Sequence, residues 1–451
     1  MALSGILKKE IHQYRQFELF NFSPTLKKAL SNLTWLSVDR VVRLFGAVII
    51  NAWLTRYLGP ERNGIFGYAL AFVGIFSPLA VMGMDNIVIR DIVRDLRNKD
   101  EILGSAFLLR LIASVVTIFL VVVAILVLRP EDKAMQVMVM MLSVGFIFQS
   151  FDVIDYWFQS QVQSKYIVYA KNSAFFLLGA VKIICLLIGA DLFVFVVANT
   201  VEFIVASIGL IFVYTQTGQS IRLWKIKLER AKTLLRDSWP IIITQLALFA
   251  QSRIDQVMIG EFMTTKDVGL YSAAQKISEP LSFIPMIIIS SVFPVLVKTK
   301  EWSEKEYYSR LTNLYRLMFI LSMAICIPFA IFSKSIVFLL YGDQFAASAW
   351  ILSFVIWTRF YAFYGVARSV YISAENLFRH SLISSLAGVS VSILSNYLLI
   401  PKLGIYGSII STHLGFLVTI FVVDGLSSRT KENFSAMMKG VFTFYKFRLA
   451  A

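Results

Sequence analysis

Residues 105–128 read SAFLLRLIASVVTIFLVVVAILVL, twenty-four positions that carry one charge, Arg110. Wound into an α-helix, such a run is about 36 Å long, more than the roughly 30 Å hydrocarbon core of a bilayer. It is apolar on every side, so it predicts a helix surrounded by lipid or other helices rather than water. Eleven further windows have the same character: 34–54, 64–84, 136–158, 167–188, 191–214, 239–262, 280–297, 313–333, 347–371, 379–400 and 404–424. Pro78, Pro240, Pro285, Pro294 and Pro328 fall inside them. Membrane helices tolerate such prolines because neighbouring groups re-satisfy the freed backbone. The expected fold is an all-α polytopic membrane protein of about twelve spans.

Composition agrees. The 451 residues are 57% hydrophobic and 16% charged, against about 45–50% and 25% in soluble domains. Lysine and arginine outnumber aspartate and glutamate 43 to 28. In so apolar a chain that excess belongs beside anionic headgroups, not on a nucleic acid. Cys185 and Cys326 lie in apolar runs, and His12, His380 and His413 are far apart, so neither a disulfide framework nor a metal site is expected. No nucleotide-binding or hydrolase motif occurs, and no polar stretch is long enough for an ATPase domain. The first thirty residues mix polar and basic positions, unlike a cleavable signal peptide.

With the N-terminus inside, the cytoplasmic segments carry about 26 lysines and arginines. The opposite loops carry 8: Arg56, Arg62, Arg129, Lys133, Lys266, Lys276, Lys334 and Lys402. The positive-inside rule then puts both termini in the cytoplasm. The expected organisation is an amphipathic arm (1–33), a six-helix bundle (34–215), a basic linker (216–238), a second six-helix bundle (239–424) and a basic tail (425–451). Arm and tail both read as interfacial helices. The halves show weak internal similarity: Asn63-Gly64-Ile65-Phe66-Gly67-Tyr68-Ala69 against Val268-Gly269-Leu270-Tyr271-Ser272-Ala273-Ala274. Six spans per half give both halves the same orientation, related by an axis along the membrane normal, with a binding cavity expected between them.

Charges inside spans cost about 2.5–3.5 kcal/mol each on insertion scales, so each is a functional candidate. Arg253 and Asp255 sit near the middle of 239–262. Two positions apart on a helix they point about 200° apart, so each needs its own partner. Arg359, Glu202 and His413 are central in their windows. Asp39 and Arg43 are spaced to pair, leaving Arg40. Gln149, Asp152, Asp155, Tyr156 and Gln159 form one stripe, which fits a cargo or cation path or the polar inner end of a helix. For Arg40, Arg110 and Lys182 the competing reading is snorkelling to the headgroups. For the others it is a polar contact that only fixes helix against helix.

The segment Ser252-Arg253-Ile254-Asp255-Gln256-Val257-Met258-Ile259-Gly260, followed by Val268-Gly269-Leu270-Tyr271-Ser272-Ala273-Ala274, resembles the span-7 signature of bacterial polysaccharide flippases. These are the O-antigen (Wzx-type) translocases of the multidrug/oligosaccharidyl-lipid/polysaccharide exporter superfamily. Arg56-Tyr57-Leu58-Gly59-Pro60-Glu61, Asp155-Tyr156-Trp157-Phe158-Gln159 and Leu403-Gly404-Ile405-Tyr406-Gly407-Ser408 resemble three more of its motifs, in order.

The resemblance implies a MATE-like pair of bundles in the bacterial inner membrane. It implies a secondary transporter, not an enzyme, that flips an undecaprenyl-diphosphate-linked oligosaccharide by ion-driven alternating access without a cofactor. Arg253, Asp255 and Asp155 sit on the family motifs; Arg40, Arg43, Lys182, Glu202 and Arg359 are put forward on charge and burial alone. For cargo the candidates are Arg40, Arg43, Arg253, Arg359 and Lys182, since guanidinium forks suit phosphate oxygens. For an H⁺ or Na⁺ coupling ion they are Asp152, Asp155, Glu202 and Asp255. The partners expected are the lipid-linked oligosaccharide, membrane lipid, a glycan polymerase and a chain-length regulator, and no nucleic acid. A multidrug cation antiporter of the same superfamily and a membrane glycan polymerase are the alternatives. The short outer loops disfavour the polymerase.

Overall fold

The structure, a computed structural model, describes residues 24–447, with side chains from residue 42 onward apart from Ser291. Every regular element among the described residues is helical. Helix α1 (Pro24–Val81) is two helices joined at Gly59, whose φ of 68° is in the left-handed region that favours glycine. Pro60, which follows, has no N–H to continue the ladder. The windows 34–54 and 64–84 therefore fall on two arms. Next come α2 (Asp85–Arg94), α3 (Lys99–Leu128), α4 (Lys133–Gln149), α5 (Val153–Ser160), α6 (Lys165–Leu187) and α7 (Leu192–Gln216). A single 3-10 turn, Ser150–Asp152, separates α4 from α5.

The second half begins with α8 (Leu228–Phe262) and α9 (Thr265–Ser278). A 3-10 turn, Glu279–Ser282, leads into α10 (Phe283–Trp302). Then follow α11 (Glu304–Ile331), α12 (Ser333–Tyr341), α13 (Ala346–Val355), α14 (Thr358–Ala374), α15 (Phe378–Leu403) and α16 (Ile405–Leu417). A π-helical turn (Val418–Val422), short α17 (Val423–Leu426) and α18 (Lys431–Phe442) complete the described chain.

Eight stretches among the described residues are long and apolar enough to cross a membrane, and ten if two bent pairs count as one span each. The bends are 43° between Thr265–Ser290 and Val292–Trp302, and 41° between Asp343–Val355 and Thr358–Ala374. Both arms of α1 fall in the first stretch, Val42–Arg94. Helix α8 is not among them, because Gln245, Gln251, Ser252, Arg253, Asp255 and Gln256 make its apolar run polar. The chain is a multi-pass membrane protein.

Three apolar cores define the arrangement. The largest takes Leu54, Leu58, Phe66, Ile125 and Phe195 from the first half and Ile259, Val268, Tyr271, Val337, Ile400 and Ile409 from the second. These residues lie near the turns at Gly59, α3–α4, α6–α7, α8–α9 and α15–α16, so this is the joined end. At the opposite, split end each half has its own core, with the start of α8 packed into that of the first half. One holds Met84, Ile92, Ile102, Ile154, Phe158 and Tyr214, together with Leu234 at the start of α8. The other holds Leu296, Tyr315, Phe363, Tyr364, Phe421 and Met437.

Cross-half hydrogen bonds occur at both ends. At the split end the start of α8 bonds to the first half through Arg90–Asp237 (3.1 Å) and Arg230–Asp95 (3.3 Å). At the joined end the bonds lie deeper. Asn63 Nδ2 donates to the Gly269 carbonyl (2.9 Å) and to Ser272 Oγ (3.0 Å). Tyr68 donates to Glu261 (2.5 Å), and Arg129 pairs with the same carboxylate at 2.9 Å.

Two expectations need correction. Lys276 is not a loop residue: it lies within α9 and donates to Asn63 Oδ1 (2.6 Å) and Thr55 Oγ1 (3.2 Å) of the first half. The tail is not merely interfacial, because α18 docks on α11 and buries Asn433, Ala436, Met437 and Gly440, with Tyr315 donating to Asn433 at 2.8 Å. Of the expected arm, residues 1–23 lie outside the described chain and 24–33 belong to α1.

Candidate functional site

Two polar sites form, one in each half. In the second half, α8 turns Arg253 and Asp255 to different neighbours, as their spacing requires. Arg253 makes a two-pronged pair with Glu279, at 2.7 and 3.1 Å. Glu279 is available to it because the α-helix gives way to the 3-10 turn Glu279–Ser282 at that point. The same turn offers Ser282, whose hydroxyl accepts from Arg359 at 2.6 Å. Arg359 also donates to Thr358 Oγ1, at 2.8 and 3.2 Å. No carboxylate among the described residues pairs with Arg359. Its hydrogen bonds go only to hydroxyls, with Glu279 in electrostatic reach but not bonded. A guanidinium so placed can take an anion without first breaking a hydrogen-bonded ion pair.

Arg253, Glu279 and Arg359 line a cavity of about 330 Å³ together with Phe249, Ser252, Asp255, Gln275, Ser282, Thr358, Ala362, Thr412 and Phe416. Asp255 forms its fully buried wall. Tyr271 donates to Asp255 Oδ2 at 2.8 Å, the Thr412 hydroxyl lies 2.7 Å from the same oxygen, and Asn396 Nδ2 approaches Oδ1 at 3.4 Å. Asn396 Oδ1 is buried without a hydrogen-bond partner, and so are Ser392 Oγ, Ser408 Oγ and Gln251 Nε2, one helical turn from Asn396, Thr412 and Asp255 respectively. Buried polar atoms are normally paired. An oxygen-rich surround with unspent acceptors can hold a proton or a hard cation, which such oxygen donors suit.

In the first half, Lys171 bridges Asp152 (2.7 Å) and Asp155. Arg43 Nε donates to Asn172 at 2.8 Å. Lys182 pairs with Glu202 at 2.8 Å and reaches Asn199 at 3.3 Å. Arg43, Gln149, Asp152, Lys171 and Glu202 line a smaller cavity of about 150 Å³ with Ala174, Phe203, Ala206 and Ser207.

The candidates thus separate. Arg253, Asp255 and Arg359 share one site; Arg43, Asp152 and Glu202 share the other, with Asp155 and Lys182 bonded to its walls. The side chain of Arg40 lies outside the described residues. Lys182 turns inward to Glu202 rather than to the headgroups. Arg110 does not snorkel either. It is 1% exposed, donates to Tyr156 at 2.7 Å and lies 3.7 Å from Asp152.

Sequence reading missed Glu279, whose signal is a carboxylate immediately before Pro280 at the start of a span. It also missed the Arg368–Asp424 pair at the split end, bonded at 2.7 and 2.9 Å. His380 and Asn433 add bonds of 2.7 and 2.9 Å to the same carboxylate. Arg368 sits inside an apolar window and Asp424 closes another, a pairing that only the fold reveals.

The helix order and the two-half arrangement define a MATE-like transporter fold. Solved structures that share it include an inward-facing multidrug resistance MATE family transporter of the MOP superfamily (TM-score 0.69, 17% identity, covering 90% of this chain and 99% of that one). Another is the lipid II flippase MurJ in an inward closed conformation (TM-score 0.65, 14% identity, covering 92% of each chain). The chain belongs to the polysaccharide biosynthesis protein family, whose profile matches residues 29–300. It is also similar to the probable low-salt glycan biosynthesis flippase Agl15 of Haloferax volcanii, at 24% identity over 220 residues. That match takes in 46% of this chain and 45% of the relative, so the chain spans about half the length of the curated relative it matches.

Proposed function

We propose that this protein flips a lipid-linked oligosaccharide across the membrane. The cargo is undecaprenyl-diphosphate-linked, an O-antigen or similar polysaccharide repeat unit, and the membrane is the bacterial inner membrane. The observation that carries the reading is Arg359, held only by the hydroxyls of Ser282 and Thr358 beside Arg253 in one cavity, in a chain of the polysaccharide biosynthesis family. Two guanidinium groups in a membrane interior suit a diphosphate and repel a cationic drug. The likeness to a glycan biosynthesis flippase supports the same cargo class.

In this reading the chain crosses the membrane twelve times with both termini cytoplasmic, as two six-helix bundles joined by 216–238. The split end then faces the cytoplasm, and the structure is an inward-directed state. Asp255 is the coupling carboxylate, taking H⁺ or Na⁺ among the unpaired oxygens of Asn396, Ser392 and Ser408. A glycan polymerase and a chain-length regulator act on the flipped product.

The test is reconstitution. Protein is placed in liposomes that carry an undecaprenyl-diphosphate-linked sugar, and sugar reaching the far leaflet is oxidised by impermeant periodate. Protein-dependent transfer that responds to an imposed Na⁺ or H⁺ gradient is expected. Transfer no faster than in empty liposomes, under either gradient, overturns the reading.

A further inference from the structure

Lys276 is a lysine at the seam of the two halves with no carboxylate partner among the described residues. Its ammonium is held by neutral oxygens of the opposite half, Asn63 Oδ1 at 2.6 Å and Thr55 Oγ1 at 3.2 Å. Those acceptors are themselves built into the joint. Thr55 Oγ1 donates to Asn63 Oδ1 at 3.3 Å, and Asn63 Nδ2 reaches back to the Gly269 carbonyl at 2.9 Å. The lysine is therefore the cationic member of a network that ties α1 to α9. It also stands three residues before Glu279, which opens the 3-10 turn after α9. Arg253 and Glu279 are both within electrostatic reach of it. The ammonium thus belongs to the joint, while Gln275 and Glu279, its neighbours in the chain, line the arginine cavity.

Ammonium bonded to neutral oxygens is held more weakly than ammonium bonded to an anion, because it lacks the Coulomb attraction of an ion pair. We infer that Lys276 is a cargo-released latch: without an anion in the cavity it fastens α9 to Asn63 and Thr55, and a phosphate oxygen of the headgroup draws it away and frees the joined end to open. Binding energy is thereby spent only where it changes the balance between two conformations. The side chain acts as a positioning residue for the conformational step, with cargo as its alternative partner. The inference rests on the diphosphate reading of the cavity, and the test separates the two.

The probe is geranyl diphosphate, a soluble prenyl diphosphate, added to the full-length protein in detergent. Spin labels at E131C and K402C, both exposed and on opposite halves at the joined end, report opening in a C185S/C326S background. Calorimetry reports binding. The parent protein is expected to bind the probe and shift toward longer label distances. In Lys276→Met, as in any variant without the latch, the longer distances are already present without the probe, so the probe-driven shift is lost, and affinity falls about tenfold; Lys276→Arg keeps the shift. Asn63→Ala, which removes the acceptor and leaves the ammonium, opens without the probe.

Equal probe-driven opening in parent and Lys276→Met, or binding without opening in the parent, overturns the latch and leaves the diphosphate reading standing. No binding to the parent overturns the reading on which the latch depends. If Lys276→Met does not fold, probe-independent opening of Asn63→Ala decides, and its absence overturns the latch.

Discussion

Gly64 and Gly269 face each other across the joint in mirrored fashion. A Cβ on Gly64 would stand 1.7 Å from the Thr265 carbonyl oxygen, and one on Gly269 would stand 1.7 Å from the Pro60 carbonyl oxygen. Each collision is with the backbone four residues upstream of the opposite glycine, so the contact is symmetric. Small residues at such crossings let membrane helices approach backbone to backbone.

Gly64→Ala and Gly269→Ala are each expected to shift the protein away from the joined state by about 1–3 kcal/mol, the usual cost of overpacking. The label distance between positions 131 and 402 measures it. An unchanged distance distribution in both variants counts against the crossing as a point of closure.

Arg359 and Glu279 are expected to act in opposite directions on the affinity for a diphosphate. Arg359→Ala removes the guanidinium held only by hydroxyls and lowers affinity about ten- to a hundredfold. Arg359→Lys restores part of it, because a point charge replaces a fork. Glu279→Gln releases Arg253 and raises affinity. Calorimetry with geranyl diphosphate checks the signs.

Asp255→Asn keeps the shape of the side chain and the approach of Thr412 and Tyr271 but removes the charge. Gradient-driven transfer in liposomes is expected to fall about tenfold or more, within the range of ordinary coupling energies. Downhill exchange of labelled cargo without a gradient is expected to survive. Full retention of the gradient response removes Asp255 as the coupling group.

Asp424→Ala strands the buried guanidinium of Arg368 and removes the partner of His380 and Asn433. Breaking one side of a buried pair costs about 3–5 kcal/mol. A marked drop in thermal unfolding temperature is expected, with probe affinity per folded molecule unchanged. A fall in affinity at unchanged stability would instead place this network in the cargo path.

Much of this was legible in the chain. The apolar windows located the helices, and the two-residue spacing of Arg253 and Asp255 foretold separate partners. The similarity of 63–69 to 268–274 marked the two segments that now meet at Gly64 and Gly269. Two kinds of feature were not legible. Lys276 looked like a loop charge because α9 is polar and short, and only its cross-half partners reveal that it is inside. Glu279 and Asp424 stood at window edges, where a carboxylate at the headgroup level and one turned inward have the same sequence.

The three apolar cores carry a consequence for the working cycle. The largest draws many residues from each half, whereas the first-half core at the split end takes only the start of α8 (Leu234, Ile241, Ile242) from the second. The largest is therefore the one chiefly dismantled when the molecule reverses its access. Reversal therefore needs a replacement for Leu54, Phe66, Val268 and Tyr271 as they part, and the aromatic residues at the far ends of the bundles, Tyr315, Tyr364 and Phe421 among them, stay in a core that never has to break. Amide hydrogens in α1 and α9 should exchange on the timescale of transport, while those of α11 and α14 should exchange only when the whole bundle unfolds. Turnover and durability are thus assigned to different parts of one chain.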